Sequence, residues 1–466
     1  MSRGKAGKGS RGPIAGTAEG RGGSAGNARA AITGKAGKGG ERATRPGGGA
    51  AGTKAGRPEP AAAKAGPGNG GSPLTQQAIR QRNLSLVMRT VAGRAPISRA
   101  AVAGQVGLTR AAVSTLVDEL VRAGLLVELG PEALQSSGVG RPGSALALND
   151  RGPAGIGAEI GVDHLAACAV DLRGEVRARV RVAADNRGRP AGPVLAELAA
   201  LVDRVAGEAR AEGLRPAGLA VAVPGLVTRD GHTVVRAPNL GWSRVDLGPA
   251  LRDAPAPLSV DNEANLGALA ELWTSGGSAP QDFVHVSAEI GIGAAIVVDG
   301  RLLRGRHGFA GELGHVPIHP DGPACVCGGR GCLEQYAGEE AVLRAAGLAS
   351  GPGAIDVLAE HAARGDEAAR GALRDAGSAL GIALAGAVNL LDPETVVLGG
   401  ALSRLAPWLL PALEEELGRR VTDPDRPHRG TVTVSRLGSD GPLLGAAHAV
   451  VQAVLDDPVG GGTPGG

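Results

Sequence analysis

Residues 311–334 read G-E-L-G-H-V-P-I-H-P-D-G-P-A-C-V-C-G-G-R-G-C-L-E, and three of the four cysteines of the chain, Cys325, Cys327 and Cys332, crowd into this stretch behind His315. One imidazole and three thiols are the ligand set of a closed tetrahedral zinc site of the structural kind. The other reading is three small buried thiols, or a disulfide. Three thiols cannot all pair among themselves, and C-x-C is an awkward spacing for a disulfide. The C-x-C-x4-C spacing is not the common C-x2-C knuckle, so ligand type and context carry the zinc expectation. Glu312 and His315 precede the cysteines and Glu334 closes them. A metal that pins the loop would therefore also position two carboxylates and an imidazole, groups suited to recognising hydroxyls.

Outward from this stretch, 466 residues suffice for two or three domains with real cores. The 79 glycines lower the information in any single glycine-rich match. Net charge is only +3, but residues 1–74 carry +10, residues 75–150 carry +3, and the remainder is acidic at −10. A basic front on an acidic body points the front, not the body, at a polyanion. The N-terminus is basic without the apolar core of a signal peptide, and nothing approaches the roughly twenty apolar residues of a membrane helix. With so few cysteines this places the chain in a reducing cytoplasm, away from membranes. The aromatic residues are Trp242, Trp273, Trp408, Tyr336, Phe283 and Phe309, none in the basic front, which argues against a base-stacking reader of single strands.

Residues 1–74 lack hydrophobic periodicity and read as a disordered basic tail, either passive or an electrostatic arm for DNA. From Leu74 the pattern turns helical. Ile79, Leu86, Val87 and Val91 suggest one amphipathic helix with Arg80, Arg82 and Arg89 facing solvent. Ser98 caps a second helix that Gly107 ends, and Thr109 caps a third with the stripe Val113, Leu116, Val117, Leu120 and Val121, stopped by Gly124. Strands at Leu125–Glu128 and Ser144–Leu148, joined by S-S-G-V-G-R-P-G, complete a winged helix-turn-helix over residues 75–150, with Arg141 and Pro142 at the wing tip. The third helix offers Arg110, Ala111, Ser114 and Thr115 where readers of the DNA major groove sit, and Asp118 there can pair with Arg122 four residues on. The plain alternative is a three-helix core without DNA.

Residues 151–455 alternate strands and helices in two similar rounds. Strands are expected at Ile156–Ile160, Leu165–Asp171, Val176–Val182 and Gly218–Val223, then at Phe283–Ser287, Ala294–Val298 and Val396–Leu398. Helices are expected at Val194–Glu212, Gly338–Ala346 and Ala376–Leu391. Two α/β halves imply a two-lobed fold with a cleft between the lobes. Residues 456–466 read as a second disordered tail, and Cys168, in an apolar strand, as a core residue.

Taken together, the winged helix-turn-helix, G-E-L-G-H and C-V-C-G-G-R-G-C-L-E resemble the ROK family, which groups transcriptional repressors with sugar kinases; the resemblance spans roughly residues 75–455. It implies an actin-like (ribonuclease H-like) α/β pair of lobes with a sugar in the cleft. It also implies zinc held by His315, Cys325, Cys327 and Cys332, and sugar contacts from Asn262, Glu263, Glu312, His315 and Glu334. The P-N-L-G-W stretch around Asn239 resembles the family's sugar-side loop.

The kinases of this family carry D-x-G-G-T and G-T-G-I-G at the phosphates, whereas this chain has E-I-G-V-D at residues 159–163 and E-I-G-I-G at residues 289–293. Val162 adds a side chain where backbone must approach phosphate, and Asp163 and Glu289 add negative charge, each like charge costing about 3 kcal/mol at about 5 Å and an effective dielectric near 20. Glu263 stands where the family's catalytic Asp would be, which alters the reach of the base. The expectation is no catalytic residue and a sugar-responsive repressor, acting as a homodimer or dimer of dimers on a double-stranded operator. The alternative is a ROK-type ATP-dependent hexose kinase.

Overall fold

The computed structural model describes residues 75–130, 133, 144–274, 279–288, 291–351, 353–422 and 432–460. The expected tail at 1–74, residues 461–466 of the tail expected at 456–466, the wing tip with Arg141 and Pro142, and Glu289 lie outside them; Asp456, expected to open that tail, instead ends the last helix and accepts a hydrogen bond from Arg89. The first described elements are α1 (Gln76–Arg94), β1 (Ile97–Ser98), α2 (Arg99–Val106), α3 (Arg110–Arg122), β2 (Leu126–Leu129) and β3 (Ala145–Leu148). Side-chain oxygens of Thr75, Ser98 and Thr109 accept the N–H groups of Ala78, Ala101 and Ala112, so each helix starts at a hydroxyl cap. Gly107 ends α2 with φ +69°, and the chain turns through 114° into α3. The strands form an antiparallel sheet in the order β1-β3-β2. The described part of residues 75–150, read from the sequence as a winged helix-turn-helix, thus comprises three capped helices and this small sheet.

Two details differ from the sequence expectation. Ile79 and Leu86 are exposed, and Leu84 and Met88 are buried in their place beside Val87 and Val91. The face of α1 is rotated because it meets the C-terminal helix as well as α3, and no local periodicity encodes that partner. Asp118 pairs with Arg99 at 2.7 Å rather than with Arg122, because Arg99 reaches both Asp118 and Glu128.

The first lobe contains β4 (Pro153–Ile160), β5 (His164–Asp171), β6 (Val176–Ala183), α4 (Ala191–Ala211), β7 (Arg215–Val223), a small sheet of β8 (Leu226–Val227), β9 (Thr233–Ala237) and β10 (Trp242–Asp246), then β11 (Leu258–Asn262) and α5 (Glu263–Thr274). The second contains β12 (Phe283–Ala288), β13 (Ile292–Val298), β14 (Arg301–Leu302), α6 (Glu334–Ala337), α7 (Glu339–Ala345), α8 (Ala354–Ala363), α9 (Glu367–Leu391), β15 (Thr395–Gly399), α10 (Gly400–Arg420) and β16 (Val432–Val434), after which α11 (Gly441–Asp456) returns to the sheet of the first lobe. The main sheets run β6-β5-β4-β7-β11 and β14-β13-β12-β15-β16. In each, three antiparallel strands are followed by two parallel ones, so both lobes repeat the order 3-2-1-4-5 of the ribonuclease H-like, actin-like architecture.

Strand β5 is buried along its whole length because both faces of its sheet are covered. Leu165, Ala167 and Ala169 share a core with Val194, Leu198 and Val202 of α4. Ala166, Cys168 and Val170 point the other way, into a core shared with Leu443, Ala447, Val451 and Leu455 of α11. That second core continues into Leu84, Val87, Met88 and Val91 of α1 and the buried stripe of α3, so the N-terminal helices and the first lobe are packed through one helix. Arg89 of α1 adds a hydrogen bond to Asp456 at 2.9 Å and one to Gln452 at 3.1 Å. Cys168 is fully buried there, with its thiol pushed up to about 12 by burial, as expected of a core residue.

Helix α11 also crosses α5 at backbone distance: a Cβ on Gly445 would lie 1.9 Å from the Leu266 carbonyl oxygen. Gly→Ala in a helix interior ordinarily stabilises by about 1 kcal/mol, but overpacking against backbone costs about 1–3 kcal/mol or more. Gly445→Ala is therefore expected to be destabilising on balance, and a fall in the chemical denaturation midpoint at unchanged m-value is the measurement that checks it.

Candidate metal centre and interlobe cleft

The loop from β14 to α6 brings His315, Cys325, Cys327 and Cys332 together, with all four potential ligand atoms within 4.8 Å of one another. The Cys327 and Cys332 sulfurs are 3.7 Å apart, and Cys325 Sγ is 3.7 Å from His315 Nδ1. Ligands held about 2.0–2.3 Å from a tetrahedral ion lie about 3.3–3.8 Å apart, so these two separations match those around a single ion. The Gly329 N–H points at Cys327 Sγ at 3.4 Å and lowers that thiol's pKa, favouring the thiolate a metal needs. Among the described cysteines none forms a disulfide.

With Nδ1 facing the thiols, His315 turns Nε2 toward Glu312, whose Oε2 is 3.8 Å away. The four-residue cluster and the cleft thus share a side chain. A cavity of about 210 Å³ lies against it, lined by residues of both lobes that include Asn262, Glu263, Glu312, His315 and Glu334. All five residues singled out in the sequence meet at this one cavity, and Asn239 joins them. Its volume is below the roughly 300–1,000 Å³ of sites for drug-sized ligands, a scale suited to a monosaccharide.

Each side chain has a local reason for its place. Asn262 ends β11 and caps α5: its Oδ1 accepts the N–H groups of Ala264 at 2.8 Å and Asn265 at 3.3 Å, and its Nδ2 donates to the Gly225 carbonyl and to Glu263. Its polar atoms already have protein partners, so its first role is to fix the helix start that presents Glu263. Glu334 opens α6, and its Oε2 accepts the N–H of Ile292 at 3.4 Å. Gly291 leaves room for it, since a Cβ there would sit 2.3 Å from that oxygen. Burial, assisted by Glu334, raises the pKa of Glu312 against the opposing pull of His315.

Three lining residues were not legible in the sequence. Arg236 enters from β9 and donates to the Val326 carbonyl across the cleft at 3.4 Å, while Leu226 comes from β8. Both belong to the small sheet, which carried too short a pattern to be read. Val326 sits between two cysteines and is 64% exposed, so its presence at the mouth follows only from how the loop folds.

The first glycine-edged loop, residues 159–163, borders the cavity and is closed by its own side chains. Gly161 donates its N–H to the His164 carbonyl at 3.0 Å, and the His164 ring lies over Gly161 where a Cβ would be 2.1 Å from it. His164 lies 2.7 Å from Asp163 and 3.4 Å from Glu159; these two carboxylates overcome burial and raise the imidazole to about 9. The Asp163 carboxylate, expected to present an uncompensated charge, is instead paired with His164. Val162 is buried in the first-lobe core rather than projecting at a ligand.

On α3, Arg110, Ala111 and Thr115 are exposed and Ser114 is half-buried, with its carbonyl accepting a bond from Arg99 at 3.2 Å. Arg110 and Arg122 have no ion-pair partner among the described residues, and they bracket the helix. The expected face is therefore assembled on one helix, apart from the wing tip.

The ROK family profile matches residues 155–453. A xylose repressor of Caldicellulosiruptor bescii is 31% identical over 399 residues, 82% of this chain and 98% of that protein. The crystal structure of a ROK family transcriptional regulator, homolog of the E. coli MLC protein, superposes with a TM-score of 0.66 at 29% identity, covering 81% of this chain and 97% of that one. A ROK family glucokinase from Streptomyces griseus, solved with glucose and AMPPNP, gives a TM-score of 0.54 at 28% identity but covers only 63% of this chain and 98% of its own. With its duplicated lobes, its histidine-and-cysteine loop and a family match across most of its length, the chain belongs to the ROK family.

Proposed function

We propose that this protein is a sugar-responsive, DNA-binding transcriptional repressor of carbohydrate uptake or catabolism genes. The observation that carries this reading is the extent of similarity: a xylose repressor matches 82% of the chain, whereas a glucokinase matches the 63% that two lobes account for. In this reading residues 75–150 form a winged helix-turn-helix, residues 151–456 the sugar-binding lobes, and residues 1–74 and 457–466 the tails. Arg110, Ala111, Ser114 and Thr115 of α3 enter the major groove, Arg141 and Pro142 contact the backbone from the wing, and a cytoplasmic homodimer sets two such helices on a near-palindromic operator.

Zinc, held by His315, Cys325, Cys327 and Cys332, is the structural ion of the loop. It fixes the side of the cleft that carries His315 Nε2, Glu312 and Glu334, and these with Asn262 and Glu263 hold the sugar hydroxyls. The sugar contacts the start of α5, which packs on α11, which packs on α1. A ligand that shifts Glu263 therefore displaces a continuous train of helices ending at the DNA-binding unit. To move the protein from mostly bound to mostly free, the sugar must favour one state by about 5 kcal/mol.

The geometry around Gly161 and His164 favours a regulator over a kinase, since the His164 ring covers the loop and the Gly161 N–H is already bonded within it. Purified protein with ATP and glucose, xylose, fructose or N-acetylglucosamine is expected to give no sugar phosphate, and turnover near 10 per second would establish the kinase alternative. Recovering the DNA fragments the protein binds and titrating the complex with sugars in a gel shift tests the regulator directly; a complex indifferent to every cleft ligand defeats the allosteric claim. Arg110→Ala should weaken operator binding about tenfold and flatten its salt dependence by about one ion if the side chain meets phosphate. Elemental analysis should find one zinc per chain, and Cys332→Ser should remove it, lower the melting temperature and abolish the sugar-induced thermal shift.

A further inference from the structure

The three thiols of the histidine-and-cysteine loop are not equivalent. Cys325 is 8% exposed and Cys332 2%, whereas Cys327 is open to solvent and also borders the interlobe cavity. Backbone hydrogen bonds hold the first two in place. The Cys325 N–H donates to the Gly329 carbonyl at 2.9 Å, and the Cys325 carbonyl accepts the Gly328 N–H at 3.0 Å. Cys332 pairs with Pro317 as an antiparallel bridge, and its carbonyl accepts the Gln335 N–H at 3.0 Å. Cys327 stands at the tip of the turn that Cys325 and Gly329 close, where an outside reagent meets it first.

The Cys327 sulfur lies 3.7 Å from that of Cys332. A disulfide holds its sulfurs about 2.05 Å apart, so the two must close by about 1.7 Å. Between them the chain reads G-G-R-G, with Gly328 at φ +96° and Gly331 at φ +67°. Gly329 lies against both sulfurs: a Cβ on it would be 3.4 Å from one and 3.6 Å from the other. Three glycines in four residues let this segment readjust at low steric cost, which carries the exposed thiol toward the anchored one. The fourth cysteine, Cys168, is fully buried in a core far along the chain, out of reach of a reagent in solvent.

We propose that Cys327 and Cys332 are a site of modification by peroxide, in which Cys327 is oxidised first and Cys332 resolves it into a disulfide. The Cys327 sulfur attacks one oxygen of hydrogen peroxide, the O–O bond breaks, and a sulfenic acid and one water result. The Cys332 sulfur then attacks the Cys327 sulfur, the S–O bond breaks, and a second water leaves. Two thiols and one peroxide become one disulfide and two waters; the sulfurs give up two electrons and the peroxide oxygens take them. The bond withdraws two of the four potential ligands, leaving His315 and Cys325, too few for a closed tetrahedral site. Loss of the ion rests on the zinc reading above; the bond between the sulfurs does not. The change falls on the cleft wall, because Cys327 borders the cavity and the carbonyl of its neighbour Val326 accepts Arg236 of the first lobe at 3.4 Å.

Treating the full chain, purified under reducing conditions, with hydrogen peroxide tests the proposal by two readouts: peptide mass mapping of the cysteines and a chelating dye that reports free zinc. The expected result is a Cys327–Cys332 disulfide with Cys168 still reduced, about one zinc ion released per chain, and both changes reversed by dithiothreitol and added zinc. Cys327→His and Cys332→His keep a donor of a kind zinc accepts while removing one thiol. In Cys332→His, Cys327 should stop at the sulfenic acid and be trapped by dimedone; in Cys327→His, release should be slower by about tenfold or more and Cys332 should go untrapped. Thiols that stay reduced under peroxide, oxidation of Cys168 ahead of Cys327, or a disulfide between any other pair overturns the proposal. Protein that is purified without zinc yet forms the Cys327–Cys332 bond overturns the zinc reading and leaves the modification site standing.

Discussion

Helix α11 is the constraint on which the rest of the molecule depends. One face of it packs Leu443, Ala447, Val451 and Leu455 into the core that α1, α3 and β5 share. Another meets α5 at the backbone through Gly445. The last helix of the sequence is therefore the central one of the fold, placed between the first described helix and the first lobe. A single hydrophobic core running through both means that the N-terminal helices are not a bead on a string. Any change in how α5 lies on α11 is carried by close-packed groups, which resist compression and move as units.

The second organising feature is the loop that converges on His315, Cys325, Cys327 and Cys332. It has little apolar surface with which to fold, since most residues from His319 to Arg330 are exposed. Four side chains able to ligate one ion stand where that core is missing. The imidazole links the two functions of the loop, with Nδ1 toward the sulfurs and Nε2 toward Glu312. The cleft wall and the four-residue cluster consequently share a side chain.

Much of this was legible in the sequence, for reasons that differ from residue to residue. The caps Ser98 and Thr109 and the stripe on α3 are local signals, and the helices start and bury where those signals place them. Strands β4, β5 and β7 were legible from their apolar runs and β6 from its alternation, whereas β8 to β11 are too short to carry a pattern. The face of α1 was misread at Ile79 and Leu86, since its burial depends on a helix more than three hundred residues away. Helix α10 gave no clear pattern because Pro407 and Pro411 lie inside it, where proline ordinarily breaks a helix. Arg236 could not be singled out from a five-residue strand with one buried turn of pattern, and the partner it finds at Val326 belongs to the other lobe.

By itself the sequence determined the ligand types and their clustering, the helix caps, the two rounds of α/β alternation and the separation of charge between front and body, because each of these is written within a short window. Only the tertiary structure decided that the histidine-and-cysteine loop and the Asn262–Glu263 helix start face one cavity, that Asp163 is paired with His164, and that the Gly161 and Ile292 N–H groups are already engaged. Those outcomes depend on which groups are brought within about 3–4 Å of one another, and a distance between residues far apart in the chain is fixed by packing rather than by any local pattern.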